Sequence, residues 1–387
     1  MNIAIVGTGF VADYYMTTLR NYPELTLRGA YDRSPERLKA FCAHYSVSAY
    51  ESFEAVLADP DVGIVVNLTT PESHFEISHA ALSAGKHVYS EKPLAMNYDD
   101  AEALVAFARQ AGLTLAAAPA NGLSDAYRLV ASVMNGIGVP RLVYAEMEDG
   151  PVFRDKWSSW RSQSGAPWPG LHEFEIGCTL EHAGYALSWL VSLFGPVESV
   201  SAFSAITFPD KGPGTEHLHM APDFSVGCLV FKSGLVARLT SGLAMPKDRS
   251  LTIVADKGSI VVDDLWDNRS AVRLERTEEK RRFLARLFGI VEMRVGKFLS
   301  WKPTVGTKLS YPKADKRSLP MYPSQIDFVR GIADQARAIQ TSDKAFFSGD
   351  VALHITEIAL ALNNAGQNAQ PYRMRSSFWR ADLSSSF

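Results

Sequence analysis

Residues 2–12 read Asn2-Ile3-Ala4-Ile5-Val6-Gly7-Thr8-Gly9-Phe10-Val11-Ala12, and this stretch decides the fold. Its apolar run has the pattern of a buried strand over 2–6, and the turn that follows opens a segment of helical period over 11–21. The turn is G-x-G-x-x-A. Gly7 permits a tight bend, Gly9 lets a pyrophosphate approach the backbone, and the small Ala12 lets helix pack closely on strand. Free N–H groups at the start of the helix would face the phosphates. Phe10 and Val11, in the same turn, join Gly7 and Gly9 as expected dinucleotide contacts.

Asp32 follows a second strand, over 26–31, and stands 23 residues after Gly9. That is close to the spacing of an acid that accepts hydrogen bonds from the adenosine ribose. The alternative role is a cap ahead of the Ser34-Pro35 helix start. A carboxylate here repels a 2′-phosphate, which favours NAD; Arg33 beside it offsets the repulsion and keeps NADP open.

Further apolar runs over 63–67, 86–90 and 113–117 alternate with helix-period segments over 35–44, 71–84 and 98–111. This is the signature of a parallel sheet with crossover helices. After residue 121 the pattern changes. A helix over 124–135 leads into a longer strand over 141–148, a Trp- and Pro-rich loop over 151–170 and an apolar helix over 179–194. Strands then follow over 199–207, 223–232, 235–242, 251–255, 259–262 and 271–275, joined by turns such as Lys232-Ser233-Gly234 and Asp256-Lys257-Gly258. Helices over 324–340 and 348–363 are expected to cover one face of that sheet. The fold class is therefore α/β plus α+β. A Rossmann dinucleotide-binding domain is expected over 1–120, and over 121–387 a substrate and oligomerisation domain with an open, mostly antiparallel sheet.

Composition narrows the function. With 387 residues, 47% of them hydrophobic and 21% charged, the chain has ample material for two cores. A net charge of −3 gives no pull towards nucleic acid. Cys42, Cys178 and Cys228 are too scattered for a zinc site or a disulfide framework, so no metal is expected and a reducing cytoplasm fits. The N-terminus lacks a basic leader region, and uncharged stretches fall short of the ~20 residues of a membrane span. One segment stands apart: 276–317 holds 12 Lys and Arg against 4 Asp and Glu. Within it Phe283, Leu287, Val291, Val295 and Phe298 recur at helical spacing, as in a helix lying on anionic lipid. Gly289 and Gly296 weaken that helix, and a subunit contact or flap is the preferred reading.

Two more motifs sit at the carboxyl edge of the parallel strands, where open α/β sheets bind ligands. Thr69-Thr70-Pro71-Glu72-Ser73-His74 follows the third strand, and Glu91-Lys92-Pro93 the fourth. With the glycine turn and Asp32, they resemble the glucose–fructose oxidoreductase/inositol dehydrogenase/rhizopine-catabolism (Gfo/Idh/MocA) family, over nearly the whole chain. The resemblance implies a nicotinamide cofactor held in part by Thr69, Thr70, Pro71 and His74. It also implies that Lys92 touches both nicotinamide and substrate hydroxyl, with Glu91 near the ring.

That family usually carries D-x-G-x-H-x-x-D on a later helix. Aligned back from Gly195, this chain reads Glu181-His182-Ala183-Gly184-Tyr185-Ala186-Leu187-Ser188. Glu181 replaces the first Asp, Tyr185 the His, and Ser188 the second Asp, and the three share one helical face. Tyr185 is the expected acid/base, its pKa of about 10 lowered by Lys92, with Glu181 orienting the site. His182, about 100° round the helix, is a rival base. For substrate, Trp157, Trp160 and Trp168 offer faces to a pyranose, while Arg154, Lys156 and Arg161 suit carboxylates or phosphates; a packed loop or dimer contact would use the same residues. The expected function is hydride transfer between nicotinamide and a secondary alcohol of a sugar, cyclitol or nucleotide-sugar, by a homodimer or homotetramer. Two other readings are an NAD-retaining glycosidase or lyase of the same family and a non-catalytic dinucleotide-binding regulator.

Overall fold

The structure is a computed structural model that describes residues 1–277, 306–313, 316–321 and 324–379. The amphipathic stretch over 280–302 lies outside the described residues. Five short parallel strands, β1 (Asn2–Val6), β2 (Thr26–Tyr31), β3 (Ile64–Asn67), β4 (His87–Ser90) and β5 (Leu115–Ala117), form a sheet in the order β2-β1-β3-β4-β5. Every residue of β3 is buried, as its Ile-Val-Val run requires of a central strand. The order reverses direction at β1, so a crevice opens beyond the carboxyl ends of β1 and β3.

Helices α1 (Ala12–Leu19), α2 (Pro35–Tyr45), α4 (His74–Ser83) and α5 (Tyr98–Gln110) cross between the strands, and α3 (Phe53–Ala58) is an extra short one. Local chemistry sets their starts. The Ser34 side chain accepts from the Arg37 amide with Pro35 in the first turn, and the Asn97 side chain accepts from the Asp100 amide. The sequence gives no sign of α3, because six residues are too few to show a helical period.

After α6 (Asp125–Val133), the second sheet starts with β6 (Pro140–Glu148), and α7 (Gly170–Ile176) and α8 (Cys178–Phe194) follow. Then come β7 (Val197–Ala205), β8 (Phe224–Phe231), β9 (Val236–Gly242), β10 (Leu251–Ala255), β11 (Gly258–Val262), β12 (Val272–Arg276) and β13 (Thr307–Lys308). The chain closes with α9 (Arg330–Thr341), α10 (Gly349–Asn363) and β14 (Tyr372–Arg373). The nine strands run β13-β12-β11-β10-β6-β9-β8-β7-β14. Neighbours are antiparallel except β6 and β9, which pair in parallel from Leu142 opposite Val236 to Glu148 opposite Gly242. Helix α8 lies on β6, β8 and β9, and α10 lies on α8, β7 and β8. On the opposite face Tyr144, Phe203, Cys228, Val230 and Val254 are exposed.

The two C-terminal helices part company. Only α10 covers the antiparallel sheet as expected. Helix α9 instead reaches the parallel sheet, where the Gln335 side-chain amide donates to the carbonyls of Val88, at 2.9 Å, and Thr114, at 3.1 Å. The Ala117 amide of edge strand β5 donates to the Phe347 carbonyl, so the returning chain partly pairs that edge. Phe328 packs against Tyr14 and Tyr15 of α1.

A buried side chain ties α8 to the loop carrying Trp266. The Asn121 amide donates to the carbonyls of Tyr185 (2.9 Å) and Leu265 (3.2 Å), while its oxygen accepts from the Ser188 hydroxyl (3.0 Å). Ser188 is thereby a buried strut. Asn121→Ala orphans the Leu265 carbonyl and should lower stability by about 1–3 kcal/mol, read as a reduced urea midpoint at unchanged m.

Candidate active site

A cleft of about 620 Å³ lies at the carboxyl ends of the parallel strands, walled on its other side by α7, α8, Trp266 and the loop 151–170. At its base Gly7 has φ +97°, and a Cβ there would sit 2.6 Å from the Leu68 carbonyl group. Only glycine fits. Gly9 is different: a Cβ added to it meets nothing within 4 Å and would project into free space. Beside a buried Ala12, this leaves a backbone cradle of the shape a pyrophosphate needs, so the residues fit a dinucleotide.

Asp32 is almost fully engaged. Its carboxylate accepts from the Thr8 amide (2.8 Å) and hydroxyl (3.0 Å), the Ser34 amide (2.8 Å) and Arg37 Nη2 (2.9 Å). Burial works to raise its pKa, but the bonds from Arg37, Ser34 and Thr8 outweigh that and hold it below the usual carboxylate range. The sequence pointed to Arg33 as the offsetting charge. Arg33 does line the cleft, but the direct partner is Arg37 on the first turn of α2.

The Thr69-Thr70-Pro71 loop is set by Asn67, whose side chain donates to the His74 carbonyl and the Ser78 hydroxyl and accepts from Thr69. His74 is a clamp: Nδ1 lies 2.6 Å from the Pro93 carbonyl and Nε2 3.1 Å from the Thr69 carbonyl. Burial holds its pKa down, so the ring is neutral and donates to only one of these two carbonyls while packed between the two motif loops. Glu91 is similarly occupied, accepting from the Tyr15 hydroxyl (2.7 Å) and the Lys92 amide (3.2 Å).

Lys92 reaches across the cleft. Its Nζ lies 2.7 Å from Glu181 Oε2 on α8 and 5.8 Å from the centre of the Tyr185 ring. The register counted back from Gly195 therefore brings Lys92, Glu181 and Tyr185 together. Burial disfavours the ammonium, but Glu181 outweighs it and Lys92 stays protonated; Glu181, against its own burial, is held ionised by Lys92. Tyr185 departs from expectation. Burial raises its pKa, the pull of Lys92 is smaller, and Glu91 and Glu181 add to the rise, so the phenol keeps its proton.

His182 also lines the cleft, one step round α8. Its Nδ1 lies 3.0 Å from Asp149 and its Nε2 3.1 Å from Glu173. Burial disfavours the imidazolium, but the two carboxylates prevail and push its pKa up to about 9. Glu173 is pushed up to about 7 by burial, opposed by His182 and aided by Glu181. His172 bridges Glu72 (2.9 Å) and Glu181 (3.9 Å). Trp266 underlies both Tyr185 (4.7 Å between ring centres) and His182 (5.8 Å). Asp149, Glu173, His172 and Trp266 escaped the sequence reading because they come from the end of β6, α7 and a later turn, with no fixed spacing among them. The one available signal was two acids and a histidine, Asp149, His172 and Glu173, flanking an aromatic loop.

Of the six expected substrate residues, Trp168 lines the cleft. Arg154, Lys156, Trp157, Trp160 and Arg161 are not among its lining residues. Trp157, Trp160 and Trp168 pack with Phe174 in one aromatic cluster, Arg154 lies over Phe153 and Phe208, and Arg161 donates to loop carbonyls. The packed-loop alternative describes Arg154, Trp157, Trp160 and Arg161, while Lys156 is exposed. The loop's tip has another attachment: the Ser164 amide (2.7 Å) and hydroxyl (2.9 Å) donate to Asp13 on α1, so the loop straps the cleft from one sheet to the other.

Comparison with known proteins agrees with this architecture. Residues 1–118 match the oxidoreductase family with an NAD-binding Rossmann fold, and residues 136–261 match the GFO/IDH/MocA C-terminal domain. The chain belongs to the Gfo/Idh/MocA family and is an NAD(P)-dependent oxidoreductase of that family. It is 23% identical over 86% of its length, and 86% of the relative's, to the uncharacterized oxidoreductase sll0816 of Synechocystis. It shares its fold with UDP-N-acetylglucosamine 3-dehydrogenase from Acidithiobacillus ferrooxidans (TM-score 0.67, 20% identity, 94% of this chain and 97% of that one). The WlbA dehydrogenase from Bordetella pertussis, solved with NADH and UDP-GlcNAcA, superposes at TM-score 0.70 with 18% identity and 97% of each chain.

The two glycines should fail differently. Gly9→Val should leave the unfolding midpoint near that of the parent and abolish NAD(P) binding by calorimetry, because its side chain occupies the phosphate space. Gly7→Ala should lower the midpoint itself, since both φ and the Leu68 contact forbid a Cβ.

Proposed function

We propose that the protein transfers hydride between nicotinamide and a secondary alcohol of a sugar, cyclitol or nucleotide-sugar. The observation that carries this reading is the Lys92–Glu181 pair at 2.7 Å, set beside Tyr185 in the cleft that the glycine turn opens. When bound, the dinucleotide supplies the redox chemistry. Gly7, Gly9, Phe10 and Val11 hold its pyrophosphate, Asp32, Arg33 and Arg37 its adenosine ribose, and the 69–74 loop with Glu91 its nicotinamide half. Lys92 presents a fixed ammonium to the reacting oxygen and stabilises negative charge developing there. Glu181 positions that ammonium, and the protonated Tyr185 hydrogen-bonds the same oxygen. Trp168 offers an apolar face for a sugar ring.

Two of the related proteins carry UDP-sugars in their names or complexes, which supports a sugar or nucleotide-sugar here. The exposed face of the nine-stranded sheet supports a homodimer or homotetramer, and three unpaired cysteines support a cytoplasmic setting. The two-part division at residue 120 fits the separate sheets. A second reading, in which the dinucleotide stays bound through a bond-cleaving cycle, is favoured by the strap latched to Asp13. The test is incubation with NAD+ or NADP+ and UDP-N-acetylglucosamine, scyllo-inositol or D-glucose. Net reduced nicotinamide with any of these supports the dehydrogenase; consumption of the probe without it supports the second reading.

Cofactor choice turns on Arg37. As Arg37 neutralises Asp32, NADP should bind as well as NAD; Arg37→Ala frees the carboxylate for the ribose and should shift the affinity ratio towards NAD by about tenfold or more in calorimetric titration.

Lys92→Ala and Tyr185→Phe should each lower kcat while leaving NAD(P) affinity nearly unchanged. Loss of one donor to a reacting oxygen typically costs about 10²–10³-fold, or about 3–4 kcal/mol of barrier. The double variant should lose less than the sum, because both groups act on one oxygen.

A further inference from the structure

Oxidising an alcohol releases a proton, and the residues just named do not provide a place for it. Lys92 is a charged ammonium paired with Glu181, and Glu181 is committed to that pair. Glu91 already accepts from Tyr15 and from the Lys92 amide. Tyr185 keeps its own proton. One other acid lines the cleft beside α8. Glu173 is 6% exposed at its side chain, and its Oε1 is buried without an aligned hydrogen bond although His182 Nε2 is 3.1 Å away. Behind it, His182 leans on Asp149 at 3.0 Å, and Arg249 stands 3.7 Å from Asp149.

We propose that Glu173, braced by His182 and Asp149, is the cleft group that takes the proton of the substrate alcohol. The proposal rests on the dehydrogenase reading given above. In the oxidation, with an oxidised nicotinamide dinucleotide as acceptor, the carbon-bound hydrogen leaves with its electron pair. The O–H pair becomes the second C–O bond of the ketone, and the proton passes to the Glu173 carboxylate. The products are ketone, reduced dinucleotide and a neutral Glu173 acid, which returns its proton to solvent. Glu173 is the catalytic residue; His182 and Asp149 are positioning residues.

The surroundings suit that task. Burial and the Glu181 charge favour the acid form of Glu173, while His182 and Lys92 favour the carboxylate, with Asp149 beyond His182 adding a smaller push towards the acid. These opposing effects leave Glu173 able to change charge near neutral pH, where a general base is most effective. His182, with a carboxylate near each ring nitrogen, is held as the cation and so has no lone pair with which to take the substrate proton.

The test uses the full chain and whichever of UDP-N-acetylglucosamine, scyllo-inositol or D-glucose the wild type oxidises. In the oxidation, wild-type kcat/KM should rise with pH and level off above about 7. Glu173→Gln should bind NAD(P) normally, lose about 10²–10⁴-fold at neutral pH and lose that limb. His182→Gln removes the opposing cation, so its limb should move to higher pH by about one unit or more. In an infrared pH titration of the unliganded protein, a protonated-carboxyl band that fades through neutrality should shrink in Glu173→Gln. Glu148, pushed up to about 7 by burial, accounts for the band that remains. If the wild type turns over and Glu173→Gln keeps its rate and its limb, the proposal is overturned and the dehydrogenase reading survives. If the wild type oxidises none of the three, both fail together. An infrared titration identical in the two proteins overturns the proposal whatever the kinetics. Should Glu173→Gln not fold, an unmoved limb in His182→Gln overturns it, and a shifted limb supports it.

Discussion

The ion pair between Lys92 and Glu181 spans the boundary between two sheets. Lys92 stands at the end of a parallel strand, Glu181 on a helix that lies on the antiparallel sheet, and their atoms meet at 2.7 Å with little solvent. Two charges taken out of water are tolerated only when each satisfies the other. The pair therefore fixes how far α8 sits from the strand edge, and with that distance come the places of Tyr185, His182 and Trp266. Other contacts across the boundary, such as Tyr22 to Asp327 and Gln335 to the Val88 carbonyl, support the same closure.

The charges in the cleft are organised by that closure. Carboxylates and cations reach it from both sheets and the helices on them, and the charged groups beside α8 hold one another in their ionised forms. Lys92 and Glu181 hold each other ionised, while His182 is held charged by Asp149 and Glu173. Tyr185 is the exception: it is buried, near more negative charge than positive, and so remains a phenol.

Much of the fold was legible because it is written locally. The glycine turn, Asp32 and the Glu91-Lys92-Pro93 strand end are contiguous motifs at the edge of a periodic sheet, and β1, β2 and β10 fall where the apolar runs put them. Even the Glu181–Tyr185 register followed from counting back along one helix. What stayed hidden was assembled through space. Arg37 reaches Asp32 from the next helix, Asp149 and Glu173 approach His182 from two separate elements, and α9 crosses to the other sheet although its apolar stripe does not say which surface it meets. The tryptophans of the 151–170 loop show the limit of composition: Trp157 and Trp160, packed with Trp168 and Phe174, look in sequence like rings awaiting a sugar.

The strap over the cleft alters what binding means for this chain. Ser164 donates twice to Asp13 on the first helix of the parallel domain, while Ala166, Pro167 and Trp168 on the same loop line the cleft. A dinucleotide lying beneath it is enclosed by residues more than a hundred positions away from the glycine turn. The cradle for the cofactor and the wall that faces it thus come from different domains, so a change confined to residues 164–168 reaches the cofactor without touching the glycine turn.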